Sequence, residues 1–219
     1  MIQISDALLS LTLLSVLLSL RSNRLMSLVK IMAFQGIVVS LIPFFLDHLS
    51  EMTFGGIFFL QVMIFTKGIL IPGFMIMAVK KVKIQREIEP IVGYNASVFA
   101  GLFFILVSAF IADRLRLHIS LPGENILLMI TAITTLTAGL FLLMTRRKAI
   151  TQVIGYLMME NGIYLIGTAL AKETHTQYVV EFGVLLDLLV GIMVMGIVLH
   201  NINSAYDDVD TGLLGQLKD

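Results

Sequence analysis

The sequence predicts an all-α protein that crosses a membrane seven times. Of its 219 residues, 58% are hydrophobic and 14% are charged, whereas soluble domains average about 45 to 50% apolar and about 25% charged residues. The apolar residues fall into runs of about 20, the length that a helix needs to cross a hydrocarbon core of roughly 30 Å. Strands are not expected, because no alternating pattern of about ten residues recurs.

Seven such runs account for most of the chain. The residues before the first run lack the basic region of a signal peptide, so we interpret that run as a retained span. The predicted spans are 4–20, 25–46, 53–79, 94–112, 125–144, 149–171 and 178–200. They form a single integral membrane domain over residues 1–219, with a tail at 201–219.

Lys and Arg residues are unevenly divided between the two sets of connections. Eleven belong to the first, third and fifth connections and the tail: Arg21, Arg24, Lys30, Lys80, Lys81, Lys83, Arg86, Arg146, Arg147, Lys148 and Lys218. Three belong to the other connections: Arg114, Arg116 and Lys172. Because basic loops stay in the cytoplasm, the N-terminus is predicted outside and the C-terminus inside. The segment from Lys80 to Pro90 fits either an interfacial amphipathic helix or a solvated loop, and the acidic tail fits either a docking strap or a disordered tail.

Three ionisable side chains, Lys67, Glu160 and Asp187, lie near the middle of predicted spans. At about 1.5 Å per residue, each is roughly 16 to 18 Å from a helix end. A charge at the bilayer centre costs about 2.5 to 3.5 kcal/mol on the insertion scale, so such residues usually face the bundle interior and mark a pathway. The charges fit either a proton relay, because desolvation disfavours the charged form of both residue types, or pairing that only fixes assembly.

The neighbours of these charges suit a buried polar site. Glu160 shares a helix face with Tyr156, and Asn161 follows it directly. Pro72 lacks the N–H that would bond a carbonyl in the preceding turn, so a bent helix with a free acceptor is predicted beside Lys67. Tyr156 and Asn161 are therefore candidates for the path of these charges or for its tuning.

Asp187 has a glycine four residues away on each side, and such a stripe lets another helix approach. Four further polar residues are weaker candidates for the path or its tuning. Lys30 and Glu181 lie near helix ends, where long side chains also reach the interface. Gln35 and Gln61 either extend a wet path or form hydrogen bonds between packed helices.

Composition leaves no ligand set for a cofactor in this chain. It contains no Cys, and its four His are scattered, so iron–sulfur, zinc and thiol sites are not expected. No phosphate-binding glycine loop or hydrolase motif is present, and the net charge of zero offers no case for nucleic acid. We expect a non-catalytic chain, with any redox centre in a partner subunit.

The two halves of the chain show similar residues at an offset of 126. The matching pairs are Arg21 and Arg147, Met32 and Met158, Gln35 and Asn161, Gly36 and Gly162, and Ile37 and Ile163. Either the similarity is chance in an apolar background, or residues 1–80 and 125–200 are two three-helix repeats of the same orientation joined by the fourth helix.

Residues 146–162, RRKAITQVIGYLMMENG, resemble the signature of hydrogenase-four component E, a membrane-arm subunit of formate hydrogenlyase-type complexes. Residues 65–72, FTKGILIP, resemble the third helix of that family, and the tail from Asp208 to Lys218 agrees as well. From about residue 125 onward the chain is more distantly similar to the K-type subunit of complex I and the C-type subunit of multisubunit cation/proton antiporters. In that comparison Asp187 takes the place of an acidic residue, whereas the other carboxylate falls at Leu157, about one helical turn from Glu160.

The resemblance implies a non-catalytic, multi-pass subunit of a prokaryotic inner membrane that relays protons through Lys67, Glu160 and Asp187. The implied partners are antiporter-like subunits, a quinone-subunit-like (H-type) anchor, and peripheral subunits that carry a nickel–iron centre and iron–sulfur clusters. Two alternatives remain: a structural adaptor in such a complex, and a subunit of a cation/proton antiporter.

Overall fold

The computed structural model describes residues 4–46, 54–81, 92–116, 126–146 and 149–170, and the single residues 191 and 196. All regular elements in these stretches are helical. They are α1 (Ile4–Arg21), α2 (Leu25–Leu46), α3 (Phe54–Phe65), a π-helical turn here called the π segment (Thr66–Leu70), α4 (Ile71–Lys81), α5 (Tyr94–Arg116), α6 (Ile126–Thr145) and α7 (Ala149–Leu170).

Six helical units in the described stretches are long and apolar enough to cross a membrane. Five of them are the single helices α1, α2, α5, α6 and α7. The sixth is the continuous unit formed by α3, the π segment and α4. These six match the first six predicted spans, with α5 extending four residues past the predicted end. The seventh predicted span, at 178–200, lies outside the described residues, as do most of the segment from Lys80 to Pro90 and the tail.

The third span departs from α-helical geometry where the sequence predicts a bend. The Ile71 N–H donates to the carbonyl of Thr66, five residues back, which defines the π segment. Pro72 follows directly and has no backbone N–H, so one carbonyl in the turn before it has no α-helical hydrogen-bond donor. The irregular turn contains Lys67.

The helices α6 and α7 pack with their backbones in direct contact, and glycines make this contact possible. A Cβ atom on Gly139 would lie 2.3 Å from the Met159 nitrogen, and one on Gly162 would lie 2.4 Å from the Leu136 nitrogen. Gly155 also faces α6 backbone. Because backbone atoms stand where a side chain would be, only glycine permits this approach, as is usual for close helix pairs in membranes.

The buried apolar residues form two clusters at different depths. The basic-end cluster lies near the α1–α2 and α6–α7 turns and comprises Val16, Leu20, Leu25, Leu28, Val29, Met32, Ile71, Met75, Val79, Ala138, Leu142, Ile150, Val153, Ile154, Leu157 and Met158. The far-end cluster comprises Leu9, Val39, Ile42, Met63, Ala112, Leu128, Met129, Ala132, Tyr164, Leu165 and Ala169. Every described span contributes residues to both clusters. The contribution of α5 to the basic-end cluster is the half-buried Phe104. The level between the clusters contains the candidate site.

Candidate functional site

Lys67 and Glu160 form a buried ion pair inside the bundle. The Lys67 Nζ lies 2.9 Å from Glu160 Oε1, and the two side chains are 4% and 2% exposed. The ammonium also donates to Asn161 Oδ1 at 2.9 Å, and it lies 5.4 Å from the centre of the Tyr164 ring. The lysine therefore has a carboxylate, an amide and an aromatic face around it, which is how membrane proteins compensate a deeply placed charge.

Close packing of α2 against the π segment brings Lys67 into this position. A Cβ atom on Gly36 would lie 2.9 Å from the Lys67 Cβ and 3.4 Å from its carbonyl oxygen, so α2 passes directly behind the lysine. The side of Lys67 turned away from α2 meets α7, where Glu160 and Asn161 are adjacent in sequence. Both acceptors thus come from one turn of α7.

Only one oxygen of the Glu160 carboxylate is used by Lys67. Its second oxygen, Oε2, is buried without a hydrogen-bond partner among the described residues. A proton that moves from Lys67 Nζ to Glu160 Oε1 would convert the ion pair into a neutral amine and a neutral carboxylic acid, with no change in net charge. A carboxylic acid with an unused oxygen is able to pass its proton onward if an acceptor is within reach.

A small cavity of about 20 Å³ adjoins the lysine on the α2 and α4 side. Lys67 and Asn161 contribute the polar part of its wall, and Gly36, Pro72 and apolar side chains contribute the rest. This volume is enough for about one water molecule, and the polar groups supply hydrogen-bond partners for it. The ion pair therefore lies beside a space that suits water.

A layer of buried polar residues separates the two apolar clusters in every described span, and we call it the mid-depth layer. Its members are Thr12 in α1, Gln35 in α2, Lys67 in the π segment, Ser108 in α5, Thr134 and Thr135 in α6, and Glu160 and Asn161 in α7. Counted along the helices from their ends at the basic end of the bundle, these residues lie roughly 14 to 21 Å deep. The Lys67–Glu160 pair is therefore part of a polar level that extends across the bundle.

The other candidates do not meet the ion pair within the described residues. Lys30 is exposed and lines, with Phe34, a groove of about 220 Å³ between α1 and α2. Gln61 is exposed on α3, and Tyr156 is half-buried one turn before the Glu160 carboxylate. Glu181 and Asp187 lie outside the described residues. Of the predicted candidates, the structure brings Lys67, Glu160 and Asn161 into contact and buries Gln35 at the same level.

Arg146 is a buried cation that the sequence assigns to a basic loop. The residue is 1% exposed, its Nη2 donates to the Leu20 carbonyl at 3.4 Å, and its guanidinium lies 5.8 Å from the Tyr94 ring. Burial lowers the pKa of Arg146, and nearby Tyr94 opposes that change. The arginine supplies positive charge at the C-terminal end of α1, where a helix dipole favours it, and it links α1, α5 and α6. Sequence spacing gives no sign of this burial.

The described residues contain no cluster of three or more His, Asp or Glu side chains that would hold a metal ion. The polar groups at the site, an amine, a carboxylate, an amide and hydroxyls, exchange protons or bind water. The arrangement is therefore suited to proton transfer.

The chain is similar to two kinds of bacterial protein. An uncharacterised protein of Mycobacterium tuberculosis strain H37Rv is 29% identical over 215 residues, which cover 95% of this chain and 93% of that protein. Hydrogenase-4 component E of Escherichia coli K12 is 24% identical over 153 residues, which cover 70% of this chain and 69% of that protein. No family profile and no solved structure matches the chain. The distant similarity supports the hydrogenase-4 component E resemblance.

Proposed function

We propose that this chain is a non-catalytic, multi-pass subunit in the membrane arm of an inner-membrane hydrogenase complex, and that it passes protons through the Lys67–Glu160 pair. The membrane placement rests on six apolar helices of spanning length. The hydrogenase assignment rests on the similarity to hydrogenase-4 component E. The proton role rests on one observation, the buried ion pair at mid-depth.

The buried pair fits a relay because the donor and the acceptor of one proton, Lys67 Nζ and Glu160 Oε1, are in direct hydrogen-bond contact. When the pair is charged, Coulomb attraction and the hydrogen bond to Asn161 offset the loss of hydration. When the proton has moved to the carboxyl, neither group carries a charge and the desolvation cost disappears. Arrival of a proton or a charge next to the pair shifts the balance between these states, so neighbouring subunits are able to drive it.

Asp187 is the proposed third member, on the basis of its depth in the last predicted span. The partners in this proposal are antiporter-like subunits, an H-type membrane anchor and peripheral subunits with nickel–iron and iron–sulfur centres. A formate-oxidising arm and the outside position of the N-terminus belong to the same proposal.

Purification tests the membership of a hydrogenase complex. We expect the affinity-tagged chain, extracted from native membranes in mild detergent, to co-purify with a nickel–iron large subunit and antiporter-like subunits, as identified by mass spectrometry and metal analysis. An untagged strain controls for nonspecific capture. Recovery with only cation/proton antiporter subunits would instead establish the antiporter alternative.

Replacement of the lysine separates a relay from a structural adaptor. We expect Lys67→Met to leave the subunits assembled but to lower redox-driven proton uptake by about 100-fold, because a group that gives up a proton contributes on the order of 10²- to 10⁴-fold. The measurement is acidification of inverted vesicles during hydrogenase turnover, alongside native gels of the complex. Lys67→Arg serves as the matched variant that keeps the charge but releases its proton far less readily. Loss of a neighbouring subunit from Lys67→Met, with normal uptake per intact complex, would contradict the relay.

A further inference from the structure

An open groove runs between α1 and α2 on the outer surface of the bundle, away from the ion pair. Its volume is about 220 Å³. Lys30 is the one charged side chain among the described residues of its wall, and large apolar side chains that remain partly exposed form most of the rest. These apolar residues are Leu11, Leu14 and Leu18 of α1, and Ile31 and Phe34 of α2.

The spacing of residues in both helices accounts for the groove. The lining residues follow an i, i+3, i+4, i+7 pattern, from Leu11 to Leu18 in α1 and from Ser27 to Phe34 in α2. Such a pattern places all of them on one stripe of each helix. Ser15 and Ser27 belong to these stripes, and their short side chains leave space between the longer ones.

The groove has the depth of one leaflet of a bilayer. At a rise of about 1.5 Å per residue, Ser27 lies roughly 3 Å from the start of α2, and Leu11 lies roughly 15 Å from the end of α1. Both of these helix ends are at the basic end of the bundle. Since a hydrocarbon core is about 30 Å thick, the groove begins near one membrane surface and ends near the midplane.

The groove is also narrow. Over the roughly 12 Å between these two levels, a volume of about 220 Å³ gives a mean cross-section of about 18 Å². A chain of CH₂ groups fits this width, because its carbons contact their neighbours at about 3.5 to 4.0 Å. A helix with its side chains is about 10 to 12 Å across and does not fit. The depth and the width therefore both suit a single acyl chain.

Positive charge surrounds the mouth of the groove. Arg21 lies three residues beyond Leu18 on the same stripe of α1, Arg24 precedes α2, and Lys30 lies in the wall. The three basic residues are exposed, and none forms an ion pair with another described residue. Residues 4–46 contain one acidic residue, Asp6, which is at the opposite end of α1. A lysine at this depth extends its stem along the apolar wall and its ammonium toward the membrane surface.

We propose that the α1–α2 groove is a binding site for an anionic phospholipid, with one acyl chain between the two helices and the phosphate held by Lys30 and Arg21. The charge at the mouth selects the headgroup, and the apolar walls hold the chain. This site goes beyond the proposed function, because it requires only that the helices cross a membrane. Gly36, which packs against Lys67, lies about 200° around α2 from Phe34, so the lipid supports α2 from the side opposite the ion pair.

Photo-cross-linking of the assembled complex measures lipid binding at this site. A phospholipid with a diazirine at the end of one acyl chain is added at sub-saturating concentration to the complex in nanodiscs, and labelled residues are identified by mass spectrometry. We expect the phosphatidylglycerol form to label Leu11 and Phe34, because the groove ends beside them. The phosphatidylcholine form with the same acyl chains is expected to label them at least fivefold less.

Lys30→Gln is expected to lower phosphatidylglycerol labelling about fivefold, which corresponds to about 1 kcal/mol for a basic residue near anionic lipid. Arg24→Gln removes the same charge from the same turn but outside the groove wall, so we expect a change of less than twofold. Leu14→Trp fills the groove and is expected to abolish labelling of Phe34. Leu102→Trp, at an exposed position of α5, is the control and is expected to leave that labelling unchanged.

Equal labelling by the two headgroups, or equal effects of Lys30→Gln and Arg24→Gln, would overturn the site, because either result is expected of ordinary bulk lipid. A neighbouring subunit in the groove would overturn it as well. Since the chain contains no cysteine, Leu14→Cys provides a single attachment point for a benzophenone label in native membranes. We expect this label to cross-link to phospholipid, whereas a cross-link to another protein would show that a subunit covers the groove.

Discussion

Glu160→Gln is expected to abolish redox-driven proton uptake without removing any subunit from the complex. Glutamine keeps the length and hydrogen-bonding capacity of the side chain, so the introduced amide oxygen and Asn161 can still accept from Lys67, but the amide cannot take up the lysine proton. The expected loss of uptake is about 100-fold or more, in the range of a missing general acid or base. The measurement is proton uptake by inverted vesicles, related to the rate of hydrogen formation in the same vesicles.

Two controls make this result specific. Glu160→Asp keeps an ionisable carboxyl but shortens the reach to Lys67 from the observed 2.9 Å contact, so we expect reduced but measurable uptake. Addition of an uncoupler is expected to speed hydrogen formation by the unaltered complex, whose own proton gradient opposes turnover, but not by Glu160→Gln, in which the block lies inside the complex. Full uptake in Glu160→Gln would refute the relay, and release of a neighbouring subunit would favour the structural adaptor.

Gly139→Ala is expected to disrupt the α6–α7 pair and, with it, the ion pair. The added Cβ would lie 2.3 Å from the Met159 nitrogen and 2.6 Å from its Cα, and neither backbone atom can rotate away. The helices must separate, and Glu160 follows Met159 directly in α7. We expect a loss of stability at or above the upper end of the 1 to 3 kcal/mol typical of overpacking, about 3 kcal/mol or more.

Gly73→Ala is the matched control for this prediction. Gly73 lies in α4, is exposed, and has no heavy atom within 4 Å of the point that a Cβ would occupy, so alanine is expected to be neutral or to stabilise the helix by up to about 1 kcal/mol. The measurement is the temperature at which the tagged chain aggregates, followed by size-exclusion chromatography after heating in detergent. Equal aggregation temperatures for both variants would mean that α6 and α7 are not in backbone contact.

The span pattern could be predicted from the sequence because insertion depends on local composition. A run of about 20 apolar residues lowers the free energy of insertion whatever its neighbours are, so α1, α2 and the later helices appear near their predicted bounds. Depth is also local, since it follows from the rise per residue. The mid-depth positions of Lys67 and Glu160 could therefore be predicted by counting residues along each span.

Which neighbouring helix each side chain points toward could not be predicted in the same way. Whether Lys67 points toward α7 depends on the rotation and spacing of α2, the π segment and α7, and those are set by contacts such as Gly36 against the lysine. Arg146 is a second residue whose surroundings could not be predicted from its place in the sequence. Its sequence position indicates only that it belongs to a basic connection, whereas packing of α1 and α5 around it leaves it 1% exposed.

Helical insertion, the mid-depth level of the charges and the lack of a thiol ligand for a cofactor all follow from the amino-acid sequence, because they depend on composition and on distance along one helix. The pairing of Lys67 with Glu160 and Asn161, and the polar layer that continues from that pair toward Ser108, emerge only when the helices are packed together. Such relations depend on which helix faces which, and that is fixed by side-chain volume and backbone contact between segments far apart in the chain.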